Sequence, residues 1–267
     1  MMEIAARNLY FLSMCVYALG AMVLLWRLKD GITAPVRIIL TVGFTLHTLS
    51  VLSYIGLCGH IPLHARTQMA LPRTWGMGMI MMFVLPNLKD RLLLVNIIMG
   101  ILILCMVGLP LPLASEMGAR AGHLAIAPFF WFHLYDVAVV FFTYCFSLSL
   151  TLLLKRKDSS GLSNAQLQTK IRTIALWGFV FFTLAQIAGC IWAVKDFGEY
   201  WIWHPMHLIS VAVWIFYAGT IHLKWLPEMP SRRGAVMGVT GFSAIMWWTL
   251  YHDYGKQMVH FVKGVFI

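Results

Sequence analysis

Apolar residues in this chain fall in long unbroken runs separated by short polar stretches, a pattern with neither the two-residue alternation of half-buried strands nor the one-sided stripe of a soluble helix. Eight such runs approach the ~20 residues that a helix needs to cross a ~30 Å hydrocarbon layer. They lie at about 8–26, 35–57, 74–87, 91–109, 126–154, 170–194, 205–226 and 234–252. A membrane barrel would show ~10-residue alternating segments instead, so the expected fold is all-α: a polytopic membrane protein of about eight transmembrane helices. The third run is short and rich in Gly and Met, which predicts a tilted or partly re-entrant segment.

Composition strengthens that reading: 60% of the 267 residues are hydrophobic and only 11% are charged, too few to coat a soluble globule. Lys and Arg divide unevenly between the two sides. Arg27, Lys29, Arg37, Lys89, Arg91, Lys155, Arg156, Lys157, Lys170, Arg172, Lys224, Arg232 and Arg233 fall on one side, 13 of the 20 basic residues. By the positive-inside rule that side is cytoplasmic, which places both termini on the non-cytoplasmic side of the inner membrane. Because the basic residues flank spans instead of forming one patch, the net charge of +10 implies contact with a lipid bilayer and no nucleic acid. The first span lacks a basic leader and a small-residue cleavage site, so it reads as a retained helix. The five cysteines are scattered without a Cys-x-x-Cys pair and read as packing residues. No linker or soluble domain interrupts the chain, so residues 1–267 read as a single membrane domain.

The densest chemistry lies between the sixth and seventh spans. Asp196-Phe197-Gly198-Glu199-Tyr200-Trp201-Ile202-Trp203-His204-Pro205 sets four aromatic rings in an outward loop of residues 195–205. Eight of the ten histidines fall in or near the same outer layer. His133 follows Trp131 at the outer start of the fifth span, and His252 follows Trp248 at the end of the eighth, so both reach comparable outer depth. Two neutral imidazoles from opposite sides are a suitable axial pair for haem iron, and aromatic faces suit a flat porphyrin; interfacial Trp and Tyr also collect at bilayer surfaces without any cofactor. His47 lies about 18 Å along the second span from Pro35, deep enough to be a candidate ligand or proton relay. His222 sits near the cytoplasmic end of the seventh span. His204 and His207, three residues apart, share a helix face and are further candidate metal ligands. Asp136 and Glu199 are the acids best placed to orient a histidine. No catalytic side chain stands out.

These segments together resemble the haem-handling superfamily of CcsA, CcmC and HemX. Its Trp-rich signature, Trp-Gly-x-Tyr-Trp-x-Trp-Asp-Pro, aligns without a gap to Phe197 through Pro205, with Phe197 in place of the first Trp and His204 in place of the Asp. Leu46-His47-Thr48 with Gly59-His60-Ile61-Pro62-Leu63, then Ile221-His222-Leu223, then His252-Asp253-Tyr254-Gly255, resemble three further family segments in the right order, covering most of residues 35–255. Tyr54-Ile55 stands where the family usually has Arg-Trp.

The resemblance implies that His133 and His252 hold one haem against Phe197, Tyr200, Trp201, Trp203, Trp131 and Trp248, while His47 and His222 hold a second haem within the membrane, both expected to be b-type. It implies haem delivery or export for c-type cytochrome maturation, with a separate outer-face domain protein or apocytochrome c as partner and a place in a cytochrome c haem lyase. The rival expectation is a di-haem b-type electron-transfer subunit of a respiratory complex, non-catalytic, carrying electrons from quinol to an outer cytochrome beside multihaem or iron–sulfur subunits. A third is a HemX-like regulator of haem synthesis.

Overall fold

A backbone in hydrocarbon must satisfy its polar groups within one segment, so uninterrupted apolar runs fold as helices. The computed structural model describes residues 2–26, 32–58, 66–107, 126–155, 162–201, 203, 205–222, 235–236 and 238–244. Among these, seven helices occur: α1 (Met2–Trp26), α2 (Ala34–Cys58), α3 (Arg66–Val84), α4 (Arg91–Val107), α5 (Ile126–Leu154), α6 (Asn164–Phe197) and α7 (Pro205–His222). Residues 235–236 and 238–244, in the eighth apolar run, are helical too, and no strand occurs among the described residues. Four helices, α1, α2, α5 and α6, are long and apolar enough to cross a membrane, and two shorter apolar stretches lie in α4 and α7.

The distribution of side chains inverts that of a soluble protein. Ser13, His47, Ser50, Thr74, Thr143 and Ser147 are fully buried, whereas Leu12, Met22, Ile38, Leu52 and Ile187 are exposed. Apolar groups lose nothing by facing lipid, so polar groups collect between helices and bond there. Ser50 of α2 donates to the Ala6 carbonyl of α1 at 2.8 Å, and Asn96 of α4 donates to Thr151 of α5 at 2.9 Å. On α1 the buried positions Ala6, Tyr10, Ser13, Tyr17, Ala21 and Leu24 recur at three- and four-residue intervals, one helical face.

Packing runs α1 on α2, α2 on α3, α3 on α4, α4 on α5 and α5 on α6, with α4 also meeting α1 and α3 meeting α5; α7 lies along α6. Helix ends follow local chemistry. Asp90 accepts the Leu93 N–H at 3.1 Å to start α4. A capping box starts α6: Gln166 N–H donates to Ser163 Oγ at 3.2 Å and Ser163 N–H donates to Gln166 Oε1 at 2.8 Å, reciprocally satisfying two orphan donors.

Two boundaries differ from expectation. The third segment begins at Arg66 instead of residue 74 and continues through Pro72, with a 3-10 turn at Leu85–Asn87. Arg73 does not end it because the guanidinium is buried in an ion pair with Asp136. The sixth segment begins at Asn164 and ends at Phe197, three residues beyond the apolar run.

The α5–α6–α7 contact depends on one missing side chain. A Cβ on Gly178 would stand 2.6 Å from Phe142 Cδ1 and Cε1, and Phe142 cannot retreat, because its ring stacks on Tyr217 at 3.8 Å and 12°. Gly178→Ala is expected to cost about 1–3 kcal/mol through overpacking, read as a lower thermal midpoint in detergent. Gly56→Ala, where an added Cβ meets nothing within 4 Å, serves as the control. Equal midpoints for the two variants would refute the tight contact.

Candidate functional site

The aromatic loop is set by how α6 stops. Gly198, at φ 78° and ψ 0°, occupies the left-handed region and donates its N–H to the Val194 carbonyl at 3.0 Å. A side-chain-bearing residue is strained there, so glycine at this cap is a conformational requirement. Seven residues after this glycine the chain enters α7 at Pro205, whose fixed φ and missing N–H suit a first helical turn. The intervening stretch is therefore a tight link between two antiparallel helices.

Within that link Trp201 is the anchor. Its ring is half-buried, lies 5.4 Å from the His207 ring on α7 at 47°, and meets Trp203 edge-on at 6.0 Å and 86°. Tyr200 and Trp203 are 72% and 81% exposed, so two large apolar faces point away from the protein. Glu199 beside them is exposed as well. Exposed aromatic faces beside a half-buried, braced ring provide a stacking surface for a planar apolar ligand.

His133 is half-buried near the start of α5. Three residues on, Asp136 Oδ1 accepts from Arg73 Nε of α3 at 2.5 Å, and the Arg73 guanidinium lies 5.2 Å over the Tyr135 ring. Asp136 is thus tied to Arg73. Arg73 lies one residue before the apolar run at 74–87, and nothing in the linear pattern pairs it with Asp136. The available signal was one acid and one base, each isolated in an apolar segment.

His47 is fully buried on α2 between the rings of Tyr10 and Tyr17, at 5.5 and 6.1 Å. Its Nε2 is 3.0 Å from Thr74 Oγ1, and that hydroxyl already donates to the Leu71 carbonyl at 3.0 Å. The ring proton therefore sits on Nε2 and donates to Thr74, leaving Nδ1 as a lone pair. Nδ1 is buried and has no hydrogen-bond partner, an orphaned donor atom of the kind that metal iron accepts. His222 is exposed at the end of α7, and its Nδ1 donates to the Ala218 carbonyl at 2.7 Å. Nε2 of that ring is then the lone pair, the arrangement usual for a ligating histidine.

The principal packing of α2 is on α1 and α3, and that of α7 is on α6, so His47 and His222 are not set on neighbouring helices by it. His207 is held against Trp201. His252, Trp248 and His204 lie outside the described residues, as do the side chains of Trp131 and Phe197. Among the described residues no three His, Cys, Asp or Glu side chains form a group able to hold a metal ion; the donors on hand are single imidazoles. Their chemistry, together with the outward aromatic faces, fits a haem with axial ligands drawn from different helices.

The family model described as cytochrome C assembly protein matches residues 7–260. A cytochrome c biogenesis protein CcsA from Prochlorococcus marinus (strain MIT 9215) is 35% identical over 71 residues, 27% of this chain and 23% of that protein. The CcsA of Trichodesmium erythraeum is 33% identical over 74 residues, 28% and 20% of the two chains. That of Heterosigma akashiwo is 32% identical over 80 residues, 30% and 24%. Each alignment thus spans about a quarter or less of the curated relative.

Proposed function

The chain belongs to the cytochrome c assembly protein family, and on that premise we propose that it binds haem at its outer face and delivers it for c-type cytochrome maturation. The observation that carries this reading is the loop after Gly198, where Trp201 is braced by His207 while Tyr200 and Trp203 keep their faces open. His133 and His252 are the proposed axial ligands of the outer haem. Phe197, Trp131 and Trp248 complete the proposed aromatic surround. When bound, a b-type haem supplies the porphyrin that becomes joined by thioether bonds to an apocytochrome. The protein's own residues hold and orient that ring, and an apocytochrome c or a separate outer-face protein is the proposed receiver.

His47 and His222 are proposed as ligands toward a second haem within the bilayer. Each commits one ring nitrogen to a hydrogen bond and keeps the other as a lone pair. The inner membrane is the proposed location, with both termini outward, in line with the uneven spread of Lys and Arg.

Deleting the gene and staining membranes for covalently bound haem tests the proposal. Loss of all c-type cytochromes, restored by the wild-type copy, is the expected outcome. Normal maturation with impaired quinol oxidation would instead establish the electron-transfer subunit and overturn delivery.

A further inference from the structure

His133 stands directly above a buried ion pair. Arg73 and Asp136 are only 4% and 6% exposed, and removing such charges from water costs several kcal/mol per ion. Holding α3 to α5 does not require them, since apolar residues of similar volume hold helices together as well or better. Ionisable groups retained inside a spanning bundle mark function.

The pair is also incompletely used. Arg73 Nε takes Oδ1 of Asp136 at 2.5 Å, while Oδ2 is buried and accepts no hydrogen bond. A bare carboxylate oxygen in a closed site is expensive to keep. It lies three residues along α5 from His133, a spacing that puts the two side chains on the same helix face. The clamp on Arg73, which also stacks over Tyr135 at 5.2 Å, prevents the carboxylate from swinging to another partner.

We propose that the Arg73–Asp136 pair is the electrostatic support of His133: Asp136 Oδ2, which accepts no hydrogen bond here, takes one imidazole N–H when haem is bound, so that the other ring nitrogen is presented to iron as a more basic lone pair. Asp136 is thus a positioning residue, and Arg73 positions Asp136. A carboxylate behind a ligating histidine fixes the tautomer and strengthens the ligand. A nearby anion also favours the more positive, ferric iron, so it lowers the reduction potential. This inference rests on reading His133 as a haem ligand.

Three measurements on the purified haem-loaded protein test it. Near-infrared magnetic circular dichroism of the ferric wild type should place one axial ligand toward imidazolate character. Asp136→Asn should raise the reduction potential and speed haem loss to an excess of a haem-scavenging apoprotein by about 10- to 100-fold. Because that variant strands the Arg73 charge, Arg73→Gln with Asp136→Asn keeps a neutral hydrogen-bonded pair and should show the same two shifts in a folded protein. A wild-type spectrum typical of two neutral imidazoles, or an unshifted potential and loss rate in the folded double variant, overturns the support. His133→Ala separates the two levels: if it leaves the haem spectrum intact, the ligand reading itself fails; if it abolishes the spectrum while Asp136 has no effect, only the support does.

Discussion

Purified His133→Ala protein is expected to lose the low-spin absorption of a haem held by two imidazoles. Cells carrying it are expected to lose assembled c-type cytochromes by more than the ~10–100-fold that removal of a merely supporting group costs. The expectation follows from position. His133 is on α5, the most enclosed of the four long spans, with 61% of its apolar window buried, so its ring is carried by a rigid, packed element. His252→Ala should have an equal effect, whereas His222→Ala should leave the outer bands in place. His207→Ala should weaken haem retention without changing ligation, since its ring braces Trp201 at 5.4 Å. Absorption spectra of the four proteins purified in parallel decide the matter. Intact bands in both His133→Ala and His252→Ala would move the outer site elsewhere.

The second large effect is on stability. Replacing Arg73 by Met while Asp136 remains should destabilise the bundle by about 3–5 kcal/mol, because it leaves a buried charge uncompensated. Asp136→Leu alone should be similarly costly. The double variant, Arg73→Met with Asp136→Leu, should recover most of the loss, since an apolar pair of similar size packs without a desolvation penalty. Thermal unfolding of the haem-free protein in one detergent gives all four corners of this double-mutant cycle. Additive losses would mean that the two side chains act independently, contrary to their 2.5 Å contact. A restored midpoint combined with a raised haem potential would show that the pair is kept for chemistry.

Helices legible from apolarity alone were those whose ends coincide with changes in polarity. The fifth segment, 126–154, has the bounds of α5, and its C-terminal end falls where the apolar run meets Lys155-Arg156-Lys157. The third apolar run, 74–87, is shorter than α3 because the helix continues back through Arg73, which a buried acid 63 residues away neutralises. Linear patterns carry no information about such a partner. The start of α6 lay hidden in a polar connection because its signal is the Ser163–Gln166 capping box, which is independent of hydropathy. Of the site, the aromatic loop and the depth of His47 were readable from residue type and spacing. The bracing of Trp201 by His207 and the proton assignments of His47 and His222 were not, since each depends on which group a folded backbone brings to a ring nitrogen or ring face.

The Arg73–Asp136 contact also has a consequence for biogenesis. α3 is not among the helices apolar enough to cross unaided, and an Arg near the middle of a span opposes partitioning by roughly 2.5–3.5 kcal/mol. Its neutralising acid is synthesised 63 residues later. Pairing with Asp136 offsets that cost, so the presence of α5 beside α3 favours α3 in lipid, which couples the insertion of the two helices.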